Sequence, residues 1–127
     1  MDLILAMAIF PNSEAIQEFL QNDYSGPVDM VNLLRFKPEK RSEYQKYIKG
    51  VVKFMGEFGM EILYQGDVIS ILMGGDEVFQ AVAIMRYPSK KKFLEFSSSP
   101  RRKEIEQFRT NGLESQWLIA TKEIDSI

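Results

Sequence analysis

Asn32 lies in the run VNLLRF, Val31 to Phe36, where every other feature reads as a buried strand. A carboxamide left unpaired in such a layer costs on the order of 1–3 kcal/mol, so it must find partners. It either ties down a neighbouring loop or backbone group, or faces a cavity and hydrogen-bonds a ligand. Arg109 poses a similar choice. Ile105, Phe108, Arg109 and Gly112 recur at helical spacing, which places the guanidinium on or beside a packing stripe. There its stem can pack while its head reaches water, Glu106 or Glu114, or its forked donor can meet a carboxylate or enolate. Arg35, near the strand end, is either a solvated or salt-bridged group or an anion clamp. Tyr44 and Tyr47 sit on the apolar stripe of a helix, and Tyr64 and Trp117 sit in strands. Each brings a polar tip into an apolar region, where core packing with a satisfied hydroxyl is the first reading.

The missing residue types limit the chemistry further. With no cysteine and no histidine, the chain supplies no disulfide, thiolate nucleophile, imidazole base or imidazole metal ligand. Catalysis would therefore rest on Asp, Glu, Tyr, Lys or Arg, or on a cofactor or substrate that supplies its own reactivity; the expectation is no cofactor and no metal. Asp67, Asp76 and Glu77 stand near turns at no spacing that pairs an acid with a base, and read as solvated loop carboxylates. The glycine pair in MGGDEV lacks the spacing and lysine of a phosphate loop. SKKKF and SPRRKE lie beside glutamates and read as solvated faces. A net charge of −2 provides no basic field for nucleic acid. The apolar run Leu3–Phe10 follows Asp2, too short for a membrane span and without the basic start of a signal peptide. The expectation is a cytoplasmic protein that binds neither nucleic acid nor membrane.

The elements that must position these residues follow from periodicity. Leu3–Phe10 reads as a strand, and Asn12 or Ser13 can cap a helix running to about Gln21. Val28 to Phe36 is apolar on both alternating sets, with Val28, Met30, Asn32, Leu34 and Phe36 on one side and Val31, Leu33 and Arg35 on the other. A helix spans roughly Ser42 to Phe58 and stops at Gly59. Glu61–Met73 and Val78–Tyr87 read as a hairpin turning at GGDE, with Gly66-Asp67 marking a bulge or a break in the first strand. A helical segment from Ser89 breaks at SSSP and resumes behind Pro100 until Asn111-Gly112, and Gln116–Glu123 forms the last strand. The length fits one domain, residues 1–127, with a strand-helix extension over 1–26 and a core over 27–123. The core order, β-α-β-β-α-β, is the α+β ferredoxin-like arrangement with both long helices on one face of the sheet. The opposite face is also apolar, so a second copy of the sheet is the simplest cover, with the N-terminal pair able to cover part of it.

GPVDMVNLLRF, YQKYIKGV, EILYQGDV, DEVFQAVAIMRYPSKKKFLEF and RTNGLESQWLIAT together resemble the family known as domain of unknown function 1330, from about Pro27 to Thr121. The resemblance implies a dimeric α+β barrel in which two sheets pack face to face around a cavity. It carries ligand-facing positions onto Asn32, Arg35, Tyr44, Tyr47 and Arg109. Many relatives have a histidine just before that arginine and a tryptophan before the DEV segment, where this chain has Phe108 and Gly75. A histidine-dependent mechanism therefore does not carry over. The reading is a homodimer binding a small anionic or carbonyl-containing molecule among Asn32, Arg35, Tyr44, Tyr47, Tyr64 and Arg109. A cofactor-free oxygenase or isomerase is one form of it; a non-catalytic ligand sensor or assembly module is the alternative.

Overall fold

The computed structural model describes residues 11–127, so the strand expected at Leu3–Phe10 lies outside the described residues. Helix α1, Ser13–Gln21, starts where the Asn12 side chain accepts hydrogen bonds from the backbone N–H groups of Glu14 and Ala15. Strand β1, Val28–Phe36, is followed by helix α2, Arg41–Phe54, which tightens into a 3₁₀ turn over Met55–Phe58. Gly59 then reverses the chain at φ 67°, a left-handed conformation that suits glycine. Strands β2, Glu61–Asp67, and β3, Ala81–Tyr87, come next. Helix α3, Lys90–Ser97, is capped by the Ser89 side chain, and α4, Pro100–Gly112, runs directly into β4, Leu113–Thr121.

The four strands form one antiparallel sheet in the order β2-β3-β1-β4. This is the ferredoxin-like order expected from the sequence, with β1 central because both crossovers return across it. Its even-numbered residues Val28, Met30, Leu34 and Phe36 are buried against the helices, and α2 contributes Tyr44, Tyr47, Val51 and Phe54 to the same core. Rings from α2, α3 and the end of β3 meet in that core. Phe54 stacks on Phe96 with centroids 5.9 Å apart, and Tyr87 meets Phe93 edge-on at 5.1 Å.

Two glycines set how closely the helices approach their neighbours. A Cβ added at Gly50 of α2 would lie 2.9 Å from Ile105 Cδ1 of α4. At Gly112, the end of α4, it would lie 2.7 Å from the backbone nitrogen of Tyr44. The sheet face away from the helices presents Val31, Leu33, Val82 and Ile84, together with Tyr64, Trp117 and Ile119, which are 56%, 50% and 40% exposed. Asp29 borders this face and receives both arms of Arg86, Nε to Oδ1 at 2.7 Å and Nη2 to Oδ2 at 2.9 Å.

The hairpin departs from expectation in one respect. Its strands end at Asp67 and resume at Ala81, so residues 68–80 form a long excursion rather than a tight turn at the glycine pair. Three apolar residues of this excursion stand out from the described residues, Ile69, Leu72 and Met73 at 100%, 91% and 94% exposed, while Phe79 at its end meets Trp117 edge-on at 5.6 Å. A single backbone bond from Val68 N–H to Gln80 C=O, 2.9 Å, continues the pairing past the strands. No described helix is long and apolar enough to cross a membrane.

Candidate ligand site

Because the even-numbered side chains of β1 point at the helices, Asn32 enters the layer between sheet and α2, where it is only 7% exposed. It borders a cavity of about 100 Å³ walled by Leu34, Phe36, Tyr44, Val51 and Met85. Val52 on α2 and Gln65 on edge strand β2 also line it, and both are exposed. Nearly all of the wall is aliphatic or aromatic. This cavity lies within one chain, between sheet and helix, because the alternation of β1 aims Asn32 toward α2.

The Asn32 carboxamide is held by a chain of polar groups. Its Oδ1 accepts from Gln116 Nε2 at 2.7 Å, Gln116 Oε1 accepts from Arg109 Nη1 at 2.7 Å, and Arg109 Nε donates to Glu106 Oε1 at 2.6 Å. Arg102 donates to the other oxygen of Glu106. The bonds on the Asn32 nitrogen are of a different quality. Nδ2 reaches the carbonyls of Met30 and Ala83 at 3.3 and 3.4 Å, beyond the usual 2.9–3.0 Å for such bonds. One end of the amide is therefore firmly fixed, while the other, beside the cavity-lining Ala83, is weakly engaged.

Among the described residues, Tyr44 is the one titratable group in the cavity wall. Burial pushes its phenol well above the ordinary tyrosine range, with the nearby Tyr47 adding to the shift and Arg109 opposing it. Burial also raises Tyr47, against the pull of Arg102 and Arg109. Both phenols stay protonated near neutral pH and act as hydroxyl groups. The site can therefore hold an oxygen atom through N–H or O–H donors.

The six residues singled out from sequence divide between the two faces of the sheet. Asn32 and Tyr44 meet at the cavity, Tyr47 lies beside Tyr44 with ring centroids 5.7 Å apart, and Arg109 joins them through Gln116. Arg35 is exposed and belongs with Tyr64 to the opposite face, because odd positions of β1 point away from α2. Arg109 has the Glu106 pairing that was one of its expected alternatives. Gln116 was missed. Its signal was its place in QWLIAT, on the alternating set shared with Leu118 and Ala120, but only the register Leu34 to Gln116 and Asn32 to Leu118 brings it diagonally beside Asn32.

Solved structures with the same architecture include a protein of unknown function from Rhodopseudomonas palustris, 28% identical, with 93% of this chain and 98% of that chain covered and a TM-score of 0.85. A hydroxynitrile lyase from Passiflora edulis shares 14% identity over 80% of this chain and 96% of its own, with a TM-score of 0.62. A dimeric protein of unknown function and ferredoxin-like fold from Bacteroides fragilis shares 9% identity over 76% of this chain and 96% of its own, at a TM-score of 0.54. These last two likenesses are of fold alone. No curated protein sequence matches the chain. The model of the family described as domain of unknown function (DUF1330) matches residues 32–122, and the chain belongs to that family.

Proposed function

We propose that this protein binds a small, mainly apolar organic molecule through a carbonyl or carboxylate oxygen, in the cavity between its sheet and α2. The observation that carries the reading is the asymmetric bonding of Asn32. A ligand oxygen arriving beside Nδ2 exchanges two long hydrogen bonds for one short one, while the apolar wall takes the hydrocarbon part. A volume of about 100 Å³ suits a molecule of benzene size or smaller. Binding is favoured over turnover because Tyr44, the titratable group among the described wall residues, stays protonated. An oxygenase- or isomerase-like reaction would need the ligand or water to carry the proton.

The protein acts as a homodimer in this reading. The open sheet face carries Trp117, Ile119 and Tyr64 at 40–56% exposure, contiguous with Val31, Leu33 and Ile84. Soluble chains rarely leave such a surface wet, and an identical sheet is its simplest complement. Sedimentation equilibrium of the wild type should give twice the chain mass, and Ile119→Lys the single mass. A wild type that is monomeric at micromolar concentration refutes the sheet-face dimer.

A second reading makes the protein an assembly module in which Asn32, Gln116 and Arg109 serve only to hold α4 against the sheet. The bonds those groups already make to one another favour it. Titrating the protein with cyclopentanone and with cyclopentane, followed by amide chemical shifts, separates the two. The ligand reading expects the ketone to shift the Asn32 side-chain N–H₂ and to bind more tightly than the hydrocarbon, with the difference lost in Asn32→Leu. A cavity indifferent to both compounds supports the assembly module.

A further inference from the structure

We infer that Gln116 is a specificity-determining residue: relayed from Arg109, it fixes which end of the Asn32 amide faces the cavity, and so restricts the ligand to one that presents a hydrogen-bond acceptor. The inference deepens the reading of the cavity as a ligand site and rests on it.

The argument depends on donor and acceptor inventory rather than on which amide atoms are drawn as nitrogen and oxygen. A guanidinium has only donors. Arg109 directs Nη1 at the side-chain amide of Gln116, so the end of Gln116 that meets it must be the oxygen. The other end, Nε2, is then a donor, and it lies 2.7 Å from the Asn32 amide. Asn32 must answer with its oxygen. Its nitrogen is consequently turned the other way, toward the Met30 and Ala83 carbonyls, which are acceptors and reject an oxygen at that position. Glu106 fixes the origin of the relay, because its carboxylate accepts from both Arg109 and Arg102 and anchors the guanidinium on α4. Each amide in the relay thus has one permitted orientation. Gln116 does not line the cavity, so it acts through Asn32 as a positioning residue.

The consequence is a site that discriminates by hydrogen-bond polarity. A ligand with an oxygen acceptor and no donor fits beside Nδ2, whereas a ligand that offers only an N–H confronts the Asn32 N–H₂ donor and leaves its own donor unpaired. Unmatched buried polar groups discriminate by an order of magnitude or more.

Cyclopentanone and pyrrole test this, being five-membered rings of similar size of which the first only accepts and the second only donates. Wild type should bind the ketone at least about tenfold more tightly than pyrrole. Gln116→Glu places an acceptor at both ends of that side chain, so that Arg109 remains satisfied while the short contact to residue 116 now calls for the Asn32 nitrogen, against the weaker pull of the Met30 and Ala83 carbonyls at 3.3 and 3.4 Å. That variant should lose the ketone preference. Gln116→Leu, which cuts the relay and leaves only the two long carbonyl bonds to orient the amide, should lower the ratio part of the way. Should Gln116→Glu fail to fold, the wild type alone still decides: its Asn32 N–H₂ protons should show nuclear Overhauser effects to bound cyclopentanone. Failure of wild type to bind either ring refutes the ligand site itself. A ketone preference that survives unchanged in both variants, or Overhauser contacts that come from Gln116 instead of Asn32, leaves the ligand site standing and overturns the relay.

Discussion

Gly112→Ala should destabilise the protein far more than Gly50→Ala, although both glycines lie in helices that pack on each other. At Gly50, the atoms that an added Cβ would meet are Cδ1 and Cγ2 of Ile105, 2.9 and 3.1 Å away. Cδ1 is the free end of a side chain and can turn aside, so the overpacking stays near the lower end of the usual 1–3 kcal/mol, about 1 kcal/mol. Replacing glycine by alanine inside a helix contributes about 1 kcal/mol in the opposite direction. The net effect at Gly50 should lie within about 1 kcal/mol of zero.

At Gly112 the obstacles are the backbone nitrogen, Cβ and Cα of Tyr44, at 2.7, 2.9 and 3.1 Å. None of these can rotate away. Relief requires the end of α4 to retreat from the start of α2, and the Gly112 carbonyl also accepts the Lys37 N–H at 2.9 Å, so retreat strains that link too. Overpacking should then reach about 3 kcal/mol, with the helix-propensity gain reduced at the last helical position, for a net loss of about 2–3 kcal/mol. Urea denaturation at pH 7 with a common slope reads this directly, and a loss of that size should lower the melting temperature by about 8 °C or more. A Gly112→Ala midpoint equal to or above that of Gly50→Ala would show that the approach of α4 to Tyr44 is not rigid, refuting the claim that Gly112 seats the Tyr44 backbone beside the cavity.

Three further outcomes are expected. Burial raises the phenols of Tyr44, Tyr47 and Tyr87, so the folded state binds their protons more tightly than the unfolded chain does. Stability should therefore be constant with respect to them below about pH 10 and fall as pH rises beyond it; phenolate absorbance at 295 nm that reports all five tyrosines while circular dichroism stays native would contradict their burial. Arg86→Met removes both arms from the buried Asp29 and should lower the urea midpoint more than Glu123→Gln, which removes only the exposed outer partner of the same arginine; equal effects would mean the Asp29 pairing is no stronger than a surface contact. Asn12→Ala removes the acceptor for two backbone N–H groups and should loosen α1 by about 1 kcal/mol, seen as faster amide exchange at Glu14 and Ala15 with the sheet unaffected. Unchanged exchange there would remove Asn12 as the cap.

Much of the architecture could be read before any coordinates because it depends on local periodicity. Alternation along β1 put Asn32 on the same side as Val28, Met30, Leu34 and Phe36, and helical spacing put Tyr44, Tyr47 and Val51 on one stripe; those sides are the buried ones. Ser89, Pro100 and Gly59 marked helix boundaries through capping and backbone geometry that operate within a few residues. The excursion between β2 and β3 was misread as a short turn for a related reason. Val68, Ile69, Ile71, Leu72 and Met73 are apolar, but strands also need a paired neighbour, and among the described residues these find none beyond the single Val68 to Gln80 bond.

What the amino-acid order settled by itself was the set of faces: which side chains point together along each strand and helix, a consequence of fixed repeat geometry. What only the tertiary structure decided was which of those faces meet. The register of β4 against β1 sets Gln116 beside Asn32, the crossing of α4 brings Arg109 to Gln116, and the packing of α2 on the even-numbered side of β1 leaves Arg35 and Tyr64 on the other. Those meetings join residues 32, 109 and 116, remote along the chain, and no local rule specifies the few ångströms that separate a hydrogen bond from a missed one.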